Sequence, residues 1–385
     1  MAGFSSMDDL VNEVTTNGKF WRQDWNKNML PTTAAVAGEW SMLARGGGNP
    51  GADAIFNTGS NLTFQSVTDA TANAGALPHG GAVTPDYKRI LNASAFTAAA
   101  TTVPNVMMLV DLVGFYRVTT TTTITSQAMT NTLSAFSTFT ADAGTDVITH
   151  SNINLFPYTR VQVSTTTTLP AGLAAATDYY VIKVTDTTAK LATSYANAVA
   201  GTPIDITSAG TGTHTINTLL PRYTSGAGLQ AIMWANNATP LGAGVPNLSL
   251  PSYTNSVQTT GKATPTVLPI GKTAAANGLI LYSGTGAGKY GPFVPLAAGD
   301  AGIAKVDNVQ LSATYTSGEF SVGLVKPLIT MPITTLGVAC ERDLVNQMPS
   351  MPRVYDGAAL YWMIYHGANT PTNSAFYGHL DFAWG

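Results

Sequence analysis

The sequence predicts a mainly β protein: a β-sandwich or jelly-roll-like body, an N-terminal helical arm, and a small all-β domain of Ig-like kind inserted into the body. Three observations carry this reading. From about Ala52 onward strand-type alternation recurs while helical spacing is scarce, and glycines and prolines punctuate the chain roughly every ten residues, as in sandwiches and barrels. A single clearly written helix stands near the start. A threonine-rich block interrupts the middle.

The helix comes first. Ser5 or Ser6 can cap it, and Asp8 and Asp9 fall in its first turn, where the helix dipole favours acids. Met7, Leu10, Val11 and Val14 follow at i, i+3, i+4, i+7, one apolar stripe, and Asn17-Gly18 supplies the stop. A short aromatic run, Phe20-Trp21-Arg22-Gln23-Asp24-Trp25, comes next. Residues 1–39 are therefore expected to form an arm. Phe4, Met7, Leu10, Val11, Val14, Phe20, Trp21 and Trp25 are its candidate assembly contacts, docking on a neighbouring subunit or on the chain's own body.

The body is expected over residues 40–118 and 219–385. Val309, Leu311, Ala313 and Tyr315 alternate with polar residues, a Thr316-Ser317-Gly318-Glu319 turn follows, and Phe320, Val322 and Leu324 alternate again. That predicts a hairpin with one buried face. Residues 358–367 and 376–385 read as two aromatic-rich strands, and a short helical piece is expected from Glu341 to Gln347.

Residues 119–218 differ from their surroundings. Threonine favours extended chain through its β-branch. Strands are suggested at Thr145–Thr149, Arg160–Ser164, Tyr179–Val184, Ala189–Thr193 and Thr213–Ile216. Without the block, its flanks would rejoin as strand, turn, strand. This predicts a domain inserted at a loop tip, where insertions are best tolerated.

Composition bounds the function. Only 10% of the 385 residues are charged, against roughly 25% in ordinary soluble domains. A threonine-, serine- and glycine-rich coat suits a protein whose surface packs against other subunits, whereas a lone enzyme usually covers itself with charge. The net charge of -3 argues against steering toward DNA or an anionic membrane. With one cysteine, Cys340, neither an intramolecular disulfide nor a cysteine zinc site is possible. The start lacks the pattern of a secretory signal, and no apolar run reaches about 18 residues, so synthesis and assembly in the cytoplasm are expected.

Catalytic motifs are weak. The loop around Gly288-Lys289 resembles a phosphate-binding loop, but Ser283 stands where the first glycine belongs and Tyr290 where the Mg²⁺ ligand belongs. Gly271-Lys272-Thr273 fails likewise, with Thr266 at the glycine position. His79, His150, His214, His366 and His379 show no metal-ligand spacing. Cys340, His366, His379 and Asp381 could form a nucleophile cluster, although a cysteine after Val338-Ala339 more often packs in a core. Glu319, Glu341, Asp343, Asp356 and Asp381 are the late acids available for a glycosidase pair, and several fall in turns. No enzyme activity, cofactor or metal is expected.

The stretch "LPAGLAAATDYYVIKVTDTTAKLATSYANAVAGTPIDITSAGTGTHTI", residues 169–216, resembles a small β module that recurs as an add-on in structural proteins of tailed bacteriophages. "GFSSMDDLVNEVTTNGKFWRQDW", "MPITTLGVACERDLVNQ" and "MPRVYDGAALYWMIYHGA" also look like phage virion text. The resemblance implies a structural virion protein whose partners are its own copies and other capsid proteins. A head decoration or cement protein is the first expectation. A major capsid protein is the second, although no helical pattern is long enough for the spine helix of the common shell fold. A tail fibre, collar or host-binding protein is the third, with residues 119–218 available for host contact.

Overall fold

The computed structural model describes residues 3–29, 34–53, 61–69, 75–119, 126–236, 247–265, 268–269, 278–280, 291–346 and 351–385. Both Gly-Lys loops lie outside the described residues. In chain order the elements begin with α1 (Met7–Thr15), β1 (Phe20–Asn28), β2 (Trp40–Met42), β3 (Gly48–Asn49) and β4 (Asn61–Ser66). Then come β5 (Lys88–Thr97), β6 (Asn105–Thr119), β7 (Gln127–Ala128), β8 (Ser134–Asp142), β9 (Val147–His150) and β10 (Arg160–Thr165). Next are β11 (Tyr179–Lys183), β12 (Thr188–Ala192), α2 (Tyr195–Ala200), β13 (His214–Thr218), β14 (Gln230–Ala235) and β15 (Asn247–Asn255). The chain ends with β16 (Leu268–Pro269), β17 (Ile303–Leu311), β18 (Glu319–Ile333), β19 (Cys340–Asp343), β20 (Arg353–Val354), β21 (Leu360–His366) and β22 (Ala375–Trp384).

The protein is mainly β, with a sandwich body of three stacked sheets. The middle sheet runs β14-β18-β6-β21-β2, with β4 also on β6. On one side lies the sheet β19-β5-β22-β1-β3, with β20 also on β5, and on the other lies β16-β15-β17-β7. The burial of β21 shows the stacking. Leu360, Trp362 and Ile364 join the core shared with β5 and β22, while Tyr361 and Met363 join the core shared with β15 and β17. In β6, Met107 and Leu109 face the first core and Val110 and Leu112 the second. A strand buried on both faces needs apolar residues at successive positions, which is why "LVDLVGFYRV" shows no clean alternation.

Three pairings differ from expectation. β17 and β18 do not form a hairpin, because the chain crosses from the third sheet to the middle one between them. The strands flanking the threonine-rich block, β6 and β14, do not pair with each other; both pair with β18. The helix expected from Glu341 is instead β19, whose Cys340–Asp343 pairs with Ala95–Asn92 of β5, and Gln347 lies outside the described residues. There, ladder hydrogen bonds to a waiting sheet edge outweigh local helix propensity.

The expected arm also shrinks. Gly18, at φ +66, ends the helical part. Phe20–Asn28 is then a full strand of the body, antiparallel to the last strand, with Trp25 opposite Gly378.

The inserted block, expected to be all-β and Ig-like, closes six strands into one barrel, β10-β11-β12-β9-β8-β13, and adds the short helix α2 between β12 and β13. Phe139, Ile148, Val161, Val163, Val181, Leu191 and Ile216 fill a core separate from the body's. The barrel is narrower than residues 119–218. Upstream of it, β7 pairs with β17, Met129 joins the body core, and Asn131 accepts a 2.6 Å hydrogen bond from the Tyr116 hydroxyl.

Contacts also hold the barrel against the body. The Arg353 guanidinium stacks 3.5 Å from the Tyr87 ring and 4.3 Å from the Tyr355 ring, and donates to Asn154 Oδ1 at 3.1 Å. Phe156 packs beside Tyr223 and Tyr355, and its N–H donates to Thr224 Oγ1 at 3.0 Å.

Ser134 and Thr218, the first and last residues of the barrel strands, are paired directly. Replacing residues 134–218 with an Asn-Gly turn is therefore expected to leave a cooperatively folding body, because a short turn can join residues already side by side. All six tryptophans lie outside this span, so tryptophan fluorescence during urea unfolding reports the body alone. Loss of a cooperative transition would mean that the barrel is part of the body's folding unit.

Candidate functional site

The eight candidate assembly residues divide by burial. In α1, Ser6 is the N-cap and accepts from the Asp9 N–H at 3.1 Å. Asp9 in turn accepts from the Ser5 N–H at 2.8 Å, and these Ser5 bonds hold its carboxyl below the usual range. Leu10 is buried, Phe4 and Val14 are half-buried, and Met7 and Val11 are 52% and 51% exposed. The apolar stripe is thus split between the body and solvent. Phe4 closes against the chain's last residue, since a Cβ on Gly385 would lie 2.9 Å from its ring. Lys19 pins the helix exit, reaching Glu13 at 2.9 Å and Asp86 at 2.7 Å.

In β1 the division repeats. Phe20 and Trp21 are 39% and 42% exposed, while Trp25 is 3% exposed and packs against Trp362 with ring centroids 5.3 Å apart. Trp25 and Leu10 are therefore core residues, and Met7, Val11, Phe20 and Trp21 form the exposed apolar set. Sequence reasoning missed Leu336 and Val338, 43% and 56% exposed between β18 and β19. It also missed the stacked pair Phe96 and Tyr377, 5.3 Å apart. The only available signal was an apolar residue on each side of Gly337, which no periodic pattern marks.

Beside β1 lies a polar row. Arg22 forms a two-pronged pair with Asp381, at 2.7 and 2.8 Å, and this hydrogen bonding raises the guanidinium pKa. His379 lies 3.8 Å from Asp381 and 3.4 Å from the Asn92 amide nitrogen. The suggested nucleophile cluster does not assemble. Cys340, on β19, packs against the core between the first and middle sheets, and β5 separates it from His379 on β22. Burial raises its thiol pKa, the opposite of an activated nucleophile. His366 is in another sheet from His379, so the two are not on neighbouring strands. Among the described residues no group of three or more His, Cys, Asp or Glu side chains could hold a metal. No described helix is long and apolar enough to cross a membrane.

His366 has a structural place instead. Fully buried, it sits between Ser41 Oγ at 2.7 Å and Thr370 Oγ1 at 2.8 Å, two hydroxyls that satisfy a neutral ring. Burial lowers its pKa to about 3, against 6.5 for an exposed histidine. The unfolded chain therefore binds an extra proton in this interval. The stability contributed by neutral His366 is complete above pH 6.5 and is lost as the pH falls toward 3. Urea titrations at about pH 7 and about pH 4.5, on either side of the unfolded pKa, are expected to show a smaller stability difference in His366→Gln than in the parent. An unchanged difference would exclude His366 as a source of acid sensitivity.

No family model matches the chain, and no curated protein matches it. Among solved structures, the infectious bursal disease virus VP2 subviral particle is similar at 10% identity, covering 79% of this chain and 83% of that one, with a TM-score of 0.16. At that TM-score the likeness carries no argument about fold or function.

Proposed function

We propose that the protein is a structural component of a tailed-bacteriophage virion: a head decoration or cement protein, without catalytic role or cofactor, assembled in the host cytoplasm. Its partners are further copies of itself and other capsid proteins, with no sequence-specific nucleic acid and no membrane. One observation carries the reading. The chain has few charges, yet it exposes Met7, Val11, Phe20 and Trp21 close to its N-terminus, on elements anchored by Leu10 and Trp25. Apolar side chains held on a fixed scaffold suit repeated weak contacts on a symmetric shell, where multivalency replaces single-site affinity. The barrel is the part of the chain available for host contact.

The test uses Met7→Asp with Val11→Asp. Both positions are about half exposed, so the fold is expected to survive. Occupancy on purified particles is expected to fall at least about tenfold, the equivalent of ~1.4 kcal/mol per contact site. Parent-level occupancy by the variant would remove the helix from the assembly surface. Copy number tests the component: hundreds per particle are expected, whereas a dozen or fewer would point to a collar or fibre.

A further inference from the structure

We propose that the exposed edge of β1 is a self-pairing site, at which a second copy of this chain adds its own β1 antiparallel about a twofold axis centred on Gln23. The proposal deepens the assembly reading above by naming the partner and the register.

Among the described residues, no strand pairs with this edge from Phe20 to Trp25. β3 pairs with β1 at Asn26 and Lys27, and the residue before it reaches Asn28. The direction of each backbone group follows from bonds at the two ends. The Asn28 N–H donates to Gly47 O, away from β22, whereas Lys19 O accepts from the Trp384 N–H on the β22 side. No register shift interrupts the pairing of β1 with β22. Alternation then turns the backbone groups of Phe20, Arg22 and Asp24 toward the open edge. The Phe20 N–H is used by Gly18 O, and Asp24 O receives the Gln23 side chain at 2.6 Å. The Arg22 and Asp24 N–H groups have no backbone partner among the described residues.

Another open edge in the same protein is blocked. β14 covers β18 only as far as Val325, and beyond that point β18 carries Pro327 and Pro332, which cannot donate to an added strand. β1 has no proline and no bulge, and its one lysine, Lys27, is buried with its ammonium on the carbonyls of Gly46, Pro50 and Gly51. The edge that can accept a strand therefore also displays Phe20 and Trp21.

Charge selects the partner and the register. With Gln23 opposite Gln23 of the partner copy, Arg22 of each copy stands opposite Asp24 of the other. These are the residues whose backbone groups face outward, so each pair exchanges both main-chain hydrogen bonds. Arg22 is already held in place by Asp381, and Asp24 of the second copy would extend that row to a second carboxylate. Sliding the register by two residues puts Arg22 against Arg22, or Asp24 against Asp24, which is repulsive. Pairing stops after Trp21 and Trp25, because Asn26 already belongs to β3.

Disulfide trapping tests the register. In the full chain with Cys340→Ala, Gln23→Cys would face its own copy as a non-hydrogen-bonded pair, with Cα atoms about 4.5 Å apart, within disulfide reach. Mild oxidation is expected to give a covalent dimer. Asn12→Cys, exposed on α1, is expected to give none. Adding Asp24→Lys, which sets a second cation against Arg22 of the other copy, is expected to slow trapping at position 23 at least about tenfold. No dimer at position 23, in free protein or in purified particles, would overturn the proposal, as would equal trapping at position 12. Failure of the virion reading gives a different result: trapping at position 23 in a protein absent from purified particles.

Discussion

Replacing Arg222 with alanine is expected to destabilise the protein by about 3–5 kcal/mol, the usual cost of removing one partner from a buried ion pair. Arg222 lies just after the barrel and is 2% exposed, and Asp111, in the middle sheet, is 0% exposed. Arg222 Nε donates to one Asp111 oxygen at 2.7 Å and Nη2 donates to the other, while further N–H groups donate to the carbonyls of Val67 at 2.7 Å and Leu112 at 2.6 Å. Burial disfavours charge on the guanidinium, and Asp111 more than offsets this, leaving its pKa raised. In Arg222→Ala the Asp111 carboxylate would lose its cationic partner while still accepting from the Ala359 N–H, at 3.0 Å. Adding Asp111→Leu is expected to recover part of the loss by removing the stranded charge. Urea unfolding followed by tryptophan fluorescence measures both variants. A single-variant loss below about 1 kcal/mol would mean that Asp111 finds solvent or a proton easily.

Trp25→Ala is the second large effect, about 3–5 kcal/mol, the range for deleting a buried aromatic side chain. Its ring fills the space over Gly378, where a Cβ would lie 2.7 Å from Trp25 Cζ2, and it leans on Trp362 across the two sheets. The same unfolding assay checks it. A loss under about 1 kcal/mol, well below that range, together with reduced particle occupancy, would return Trp25 to the assembly surface. Met7→Asp with Val11→Asp is expected to show the reverse pattern, with stability kept and occupancy lowered.

The contrast between Trp25 and Trp21 shows what could be read from the chain. Both stand in one short aromatic run, and nothing local separates them. Trp25 is buried because Gly378 leaves a hollow for it and Trp362 closes the far side. Trp21, four residues earlier on the same strand face, lies against Gly80 and stays 42% exposed. In the same way, Arg22 and Asp381 meet although they are 359 positions apart.

Features set by neighbours within a few residues were legible in the sequence alone: the α1 stripe with its Ser6 cap and Gly18 stop, the β class of the body, the two closing aromatic strands, and the change of composition at the threonine-rich block. Hydrogen bonding, β-branching and side-chain periodicity act over that range. Strand partners, the third sheet, closure of the barrel and the burial of each aromatic were decided only in the tertiary structure. A strand pattern records which faces are apolar but not which distant strand completes its ladder. For β6, with both faces buried, even the alternation that marks a strand disappears.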